Sequence, residues 1–67
     1  MTYEERVKEL EEQGYTKDHT SWCRGYILRK GGYYHDYRYK GKFGEGWAIE
    51  TPSWESTSYH YITYFTK

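Results

Sequence analysis

The sequence predicts an α+β fold in which an N-terminal helix packs on an antiparallel sheet of three to four strands. Two observations predict it. Residues 2–13 carry helix start and stop signals with apolar residues at helical spacing, whereas apolar and polar residues alternate after residue 20. Glycines and one proline separate the alternating segments, as at the turns of an antiparallel sheet. We therefore expect the order αβββ or αββββ, in a single domain covering residues 1–67.

The first segment, TYEERVKELEEQGY, predicts a helix from Tyr3 to Gln13. Thr2 and Glu5 have the spacing at which each side chain caps the other's backbone N–H at a helix start. Gly14 can adopt the left-handed conformation that ends a helix, so that the next residue folds back onto Leu10. The apolar stripe is narrow, and one face of the helix is therefore expected to dock while the other faces water. The stripe comprises Tyr3, Val7 and Leu10.

The next two segments, SWCRGYILRK and YYHDYRYK, flank Gly31 and Gly32. Two consecutive glycines supply the positive φ angles of a tight hairpin, so these strands are predicted to pair directly, with Arg24 opposite Tyr39. One face then collects rings and is expected in the core, while the other collects basic side chains and is expected in water. The predicted core face comprises Trp22, Tyr26, Leu28, Tyr37 and Tyr39, and the outer face Cys23, Ile27, Arg29, Tyr34, Asp36, Arg38 and Lys40.

The glycines of YKGKFGEGW predict the following turn. A three-residue loop with a bulge at Gly41 places Tyr37 opposite Phe43 and keeps Phe43, Trp47 and Ile49 on the core face. A loop one residue shorter would turn those side chains to solvent, so the bulged loop is preferred. The spacing G-x-x-G-x-G is interpreted as structural, because phosphate-binding loops are followed by a helix and none is predicted here. The last segment, SYHYITYFT, predicts a strand that is apolar on both faces.

Composition limits the type of core and the class of protein. Branched aliphatic residues are few beside three tryptophans, ten tyrosines and two phenylalanines, so rings must form most of the core. The single cysteine, Cys23, excludes an internal disulfide, and no apolar run is long enough to span a membrane. A protein inside the cell is therefore expected.

Charge is uneven although the net charge is zero. Residues 21–42 carry six basic side chains against one acid, which could neutralise phosphates while a tyrosine stacks on a base. Basic side chains on exposed strands also prevent edge pairing, and zero net charge favours that second interpretation. The basic face and its tyrosine comprise Arg29, Lys30, Tyr34, Arg38, Lys40 and Lys42.

Metal binding and catalysis have little support in the sequence. Cys23 with His19, His35 and His60 supplies zinc-type ligands, but no C-x-x-C or H-x-x-x-H pair occurs. The predicted register also places Cys23 and His35 on opposite faces of the sheet, so His35 is not expected to activate Cys23 as a nucleophile. No carboxylate pair shares an evident apolar pocket. The chain is therefore predicted not to be an enzyme and to need no metal or cofactor.

Trp54 stands in the polar loop TPSWEST. An exposed indole there could anchor in a pocket of a protein partner. It could equally fold back to close one end of the small core.

The segments SWCRGYILRK, YKGKFGEGW and PSWESTSYHYITYFT resemble small accessory proteins encoded by phages and prophages of Gram-positive bacteria. The resemblance rests on the order of aromatic, glycine and proline positions over most of the chain after residue 20. It implies a non-enzymatic effector in the cytoplasm of a bacterial host that binds and inhibits or redirects a host machine, anti-CRISPR proteins being one such class. Acidic members that imitate DNA are not matched, because the most charged segment here is basic.

Three functions are therefore weighed. The first is a compact protein that binds and modulates a host protein or protein–nucleic-acid machine, and the second is a DNA- or RNA-binding domain that uses the basic hairpin face. The third is a structural homodimer joined through edge strands, because the last strand is apolar on both faces. The expected partner-binding residues are Arg29, Tyr34, Arg38, Lys40, Lys42 and Trp54.

Overall fold

The computed structural model of the chain describes residues 2–25 and 35–67. The elements are helix α1 (Tyr3–Glu12) and strands β1 (Thr16–Arg24), β2 (His35–Gly41), β3 (Gly44–Pro52) and β4 (Tyr59–Thr66). They form the predicted α+β fold, with four antiparallel strands in the order β1-β4-β3-β2. The last strand is therefore central, and the first two lie at opposite edges. Within the described ranges, no helix has the length and apolarity needed to cross a membrane.

Helix α1 begins where predicted and ends within one residue of the prediction. Thr2 N donates to Glu5 Oε1 at 2.8 Å, and Glu5 N donates to Thr2 Oγ1 at 3.2 Å, which completes the capping box. At the other end Gly14 has a φ of 95°, and Tyr15 N donates to the Leu10 carbonyl at 3.0 Å. This Schellman closure ends the helix and leads the chain directly into β1.

The core lies between α1 and one face of the sheet, here called the helix side. Leu10, Ile49 and Phe65 are fully buried in it. The predicted stripe of the helix and the inward positions of Trp47 and Ile49 are confirmed. Only a few side chains surround this cluster, so the docking of α1 depends on a small number of contacts. The half-buried neighbours are Tyr3, Val7, Tyr15 and Trp47.

The predicted pairing of the first two strands is wrong. Strand β1 pairs with β4 and β2 pairs with β3, so Arg24 lies opposite Tyr59 and Tyr39 lies opposite Gly46. A strand that is apolar on both faces is best covered at the centre of a sheet, and β4 takes that position. Both edges of β4 are thereby paired, which removes the reason for a homodimer joined through this strand. The predicted Gly31-Gly32 turn lies outside the described residues.

The turn between β2 and β3 is one residue shorter than predicted. Gly41 pairs directly with Gly44, which has a φ of 115°, and the two residues between them form the loop. Tyr37 therefore lies opposite Ala48 and not opposite Phe43. The partner of Tyr37 is thus five residues further along the chain than predicted. Because side chains alternate along a strand, a displacement by an odd number of residues moves each predicted cross-strand neighbour to the other face.

The two faces of β2 are consequently reversed relative to the prediction. Arg6 Nε of α1 donates to Asp36 Oδ2 at 2.9 Å, which places Asp36 on the helix side, and alternation places Arg38 and Lys40 there as well. The opposite face is covered by no described helix and is here called the open face. The rings predicted for the core that lie on the open face instead are Tyr37, Tyr39 and Phe43.

Candidate functional site

Arg38, a predicted partner-binding residue, already makes contacts within the fold. Its guanidinium lies 5.1 Å from the centroid of the Trp47 ring, and its Nη1 donates to Tyr15 Oη at 3.5 Å. The hydrogen bond from Arg38 is the main reason why the pKa of Tyr15 lies below its ordinary value. A phosphate bound at Arg38 would compete with these two contacts.

Arg6 ties α1 to the side of the sheet formed by β2 and β3. It pairs with Glu9 of its own helix and with Asp36 of β2, and its guanidinium lies 4.8 Å from the centroid of the Trp47 ring. Burial acts to lower the pKa of Arg6, but the hydrogen bonds to Glu9 and Asp36 outweigh it, so that pKa lies above its ordinary value. These contacts hold the helix over β2 and β3, and β1 lies at the opposite edge of the sheet.

Lys40 and Lys42 do not share one surface with Trp54. Lys40 lies opposite Glu45, and Lys42 Nζ lies 5.7 Å from the centroid of the Phe43 ring in the adjacent turn. Trp54 follows the far end of β3, whose nine residues separate it from that turn by about 26 Å. The other two predicted residues, Arg29 and Tyr34, lie outside the described residues.

The open face carries rings that pack on one another. The ring centroids of His19 and Phe43 are 4.5 Å apart, those of Phe43 and Tyr64 are 5.0 Å apart, and those of Tyr39 and Tyr64 are 4.5 Å apart. Ala48, which is opposite Tyr64 in the register, is fully buried. The rings thus form a packing layer of their own, which stabilises a face that no helix of residues 2–25 and 35–67 covers.

Cys23 shares the open face with His35 and His60, which corrects the predicted separation of Cys23 from His35. His60 Nδ1 lies 3.0 Å from the Gly25 carbonyl, and His60 Nε2 lies 3.4 Å from Glu50 Oε2. The Gly25 carbonyl oxygen can only accept a hydrogen bond, so His60 Nδ1 donates in this contact and is not available to accept the thiol proton. Across residues 2–25 and 35–67, no group of three or more His, Cys, Asp or Glu side chains is arranged to hold a metal ion.

Two exposed tryptophans lie at one end of the helix side. Trp22 is 65% exposed and Trp54 is 73% exposed, so the predicted core position of Trp22 is wrong. The Trp22 ring lies 5.9 Å from Tyr59, Tyr59 lies 5.6 Å from Tyr61, and Tyr61 lies 6.3 Å from Trp54. A cavity of about 330 Å³ is lined by Trp22, Tyr59 and Tyr61. We call Trp22, Trp54, Tyr59 and Tyr61 the tryptophan patch.

The tryptophan patch is exposed because α1 is too short to cover it. The ten residues of α1 make a helix of about 15 Å, whereas the eight residues of β4 extend over about 23 Å. Phe65 contacts the helix from one end of β4, and alternation brings Tyr61 and Tyr59 to the same side beyond the helix. Trp22 is directly opposite Tyr61 and therefore joins them.

The loop after β3 holds Trp54 in place. Glu55 N donates to Oγ of the buried Ser53 at 3.1 Å, and Tyr61 Oη donates to Glu55 Oε1 at 2.6 Å. The pKa of Tyr61 is raised to about 12, chiefly by the hydrogen bond to Glu55 and to a smaller extent by a hydrogen bond with Tyr59. The loop is thereby tied to β4, and the Trp54 indole stays beside the Tyr61 ring.

A groove leads from the tryptophan patch along the side of α1, above β1 and β4. Two cavities of about 420 and 460 Å³ adjoin each other and share Tyr3, Glu4 and Lys17. The floor on the β1 side is exposed, since every residue of β1 from Thr16 to Thr20 is exposed. We call this feature the α1–β1 groove. Its other lining residues are Val7, Lys8, Glu11, Thr20, Thr51, Trp54, Tyr61, Thr63 and Phe65.

Sequence reasoning found one member of the tryptophan patch, Trp54, and missed the other three. Tyr59 and Tyr61 were visible as rings on alternate positions of the last strand, and Trp22 was visible as a ring on the second segment. Their meeting depends on the pairing of β1 with β4, which no local signal predicted. No protein-family model, curated protein or solved structure matches this chain.

Proposed function

We propose that this chain is a non-enzymatic interaction protein that binds a protein partner through the tryptophan patch. The observation that carries the proposal is the exposure of Trp22 and Trp54, at 65% and 73%, within one cluster of four rings. Tryptophan and tyrosine contribute a large share of the binding energy at protein interfaces. The hydrogen-bonded loop around Glu55 limits the conformational freedom that Trp54 would lose on binding.

A host protein or protein–nucleic-acid machine is the proposed class of partner. The support is the resemblance of the chain to small accessory proteins of phages and prophages, many of which bind such machines and inhibit or redirect them. The proposed effect is stoichiometric, as in an anti-CRISPR protein, and is exerted through the exposed rings of the tryptophan patch.

Direct binding of DNA or RNA is the weaker alternative. Phosphate recognition needs several cations along one path, but Arg38 contacts Trp47 and Tyr15, and Lys42 lies in a turn at the other end of the sheet from Trp54. The net charge of the chain is zero, which gives no overall attraction to a polyanion.

The test uses four forms of the full chain as baits in a lysate of Gram-positive bacterial cells, with and without nuclease. The wild type is compared with Trp22→Ala/Trp54→Ala, with Arg38→Glu/Lys40→Glu, and with Tyr37→Ala as a matched control. Tyr37 is 37% exposed and lies on the open face, so its replacement removes a ring far from the tryptophan patch. Circular dichroism verifies that each variant is folded.

The expected result is a protein partner that resists nuclease, is lost from the double tryptophan variant and is kept by Tyr37→Ala. With the purified partner, the double tryptophan variant should bind about 1,000-fold more weakly, because two buried interface tryptophans at about 2 kcal/mol each contribute about 4 kcal/mol. Equal capture of the partner by wild type and by the double tryptophan variant would show that the tryptophan patch is not the binding surface. Nuclease-sensitive capture that Arg38→Glu/Lys40→Glu abolishes would instead establish the nucleic-acid alternative.

A further inference from the structure

The helix side of the sheet has room for a second helix. Four strands at about 4.8 Å each make a sheet about 19 Å wide, whereas an α-helix with its side chains is about 10 Å wide, so α1 covers about half of that width. Helix α1 is held toward β2 and β3 through Asp36 and Trp47. Strand β1, at the other edge, is exposed from Thr16 to Thr20. The uncovered strip above β1 and β4 is the α1–β1 groove.

The length of this strip also suits a helix. From Lys17 to Trp22 strand β1 extends over about 16 Å, which equals the rise of about eleven helical residues. Apolar surface lies at both ends of this span, since Val7 and Phe65 line one cavity and Trp54 and Tyr61 line the other. A single straight helix could therefore contact both ends.

A row of charges borders the groove along α1. Glu4, Lys8 and Glu11 have the i, i+4 and i+7 spacing of one helix face, are exposed, and line the groove. None of the ion pairs found among the described residues involves them. A neighbouring helix with basic, acidic and basic side chains at the same spacing would pair with all three, as flanking charges do between packed helices.

We infer that the α1–β1 groove takes an amphipathic α-helix of the partner protein. The apolar stripe of that helix lies on the groove floor and reaches the tryptophan patch at one end. Two basic side chains seven residues apart face Glu4 and Glu11, with an acid between them facing Lys8. This inference rests on the proposed function, since it specifies how the partner engages the surface that begins at Trp54 and Tyr61.

A displayed library of random 16-residue peptides, selected on the full chain, tests this inference. Enriched peptides should have apolar residues at i, i+3 or i+4, and i+7, should carry basic residues seven apart, and should gain helical circular dichroism on binding. Synthetic versions should bind Glu4→Lys/Glu11→Lys about tenfold or more weakly than wild type. The matched control is Glu12→Lys, compared with Glu4→Lys and Glu11→Lys taken singly; it makes the same charge change as each of them at an exposed helix position outside both cavities and should bind as wild type does.

Several results would overturn the inference. These are an absence of enriched peptides, enriched peptides with a period of two that add to a sheet edge, or peptide binding that Glu4→Lys/Glu11→Lys leaves unchanged. Its failure is distinguishable from failure of the proposed function. A lysate partner that the double tryptophan variant loses, but that Glu4→Lys/Glu11→Lys keeps and the helical peptides do not displace, removes the inference and leaves the tryptophan patch as the binding surface.

Discussion

Leu10 is the residue through which the stability of the whole fold can be tested most directly. It is fully buried and contacts the other two members of the core cluster, Ile49 and Phe65. Leu10→Ala removes three carbon groups, worth about 2.4 kcal/mol in transfer from water, and the cavity left behind raises the expected loss to about 3 kcal/mol. A chain of 67 residues has a total stability of about 3 to 10 kcal/mol, so this loss is a third or more of it.

Urea unfolding followed by circular dichroism measures this loss. Val7→Ala serves as the comparison, because Val7 is half-buried and two carbon groups removed there should cost about 0.8 kcal/mol. Leu10→Met retains the volume and should cost less than about 1.5 kcal/mol, which separates packing from a general intolerance of substitution. A cost below about 1 kcal/mol for Leu10→Ala, or an equal cost for Val7→Ala, would show that α1 is not held to the sheet by this cluster.

Two further predictions concern the sheet and the patch. At Gly46 an added Cβ would lie 2.0 Å from the Phe65 carbonyl oxygen, so Gly46→Ala should lower the free energy of unfolding by more than about 3 kcal/mol. Circular dichroism should then show a largely unfolded chain. Native-like stability of this variant would show that β3 and β4 are further apart. The pKa of Tyr61 is raised from 10.0 to about 12, so the stabilisation from its hydrogen bond is present below about pH 10 and is lost as the pH rises toward 12. In an NMR titration Tyr61 should ionise near pH 12 in the wild type and at lower pH in Glu55→Gln. Ionisation near pH 10 in both proteins would show that the hydrogen bond from Tyr61 to Glu55 is absent.

The helix was predictable because its signals are local. Thr2 and Glu5 meet across one turn, and Gly14 ends the helix through a bond between Tyr15 and Leu10. Each of these interactions joins residues at most five positions apart, so the order of side chains along the chain determines them almost alone. The same holds for the narrow stripe that α1 buries.

Strands β2, β3 and β4 were predictable as segments, whereas β1 begins at Thr16, before the segment predicted from Ser21. The neighbours of the strands were not predictable. Alternation shows that a strand has two faces, and it does not show which strand lies beside it or which face meets a helix. Strand β4 is apolar on both faces, and this property predicted edge pairing in a homodimer; in the fold the strand is instead paired on both edges, with β1 and with β3. The shorter turn at Gly41 and Gly44 then placed Arg38 and Lys40 on the helix side, opposite to the prediction.

The candidate site shows the same division between local and long-range information. Trp54 stood out in the sequence because it is an indole in a polar loop, and of the two positions considered for it, exposed or folded back onto the core, the structure has the exposed one. Trp22 was assigned to the core because it shared the predicted hairpin face with Tyr37, a relation that the pairing of β1 with β4 abolishes.

The sequence by itself determined the helix, its two ends, the segments of β2, β3 and β4, and the reliance of this small fold on aromatic rings. Tertiary structure alone decided that β4 lies at the centre, that the rings of β2 face away from α1, and that Trp22 and Trp54 border one surface. The physical reason is that helix signals act over one turn, whereas the contacts between strands join residues up to 50 positions apart, as Thr16 and Thr66 are. Such contacts are selected by the total area that the whole chain can bury, which no short segment encodes.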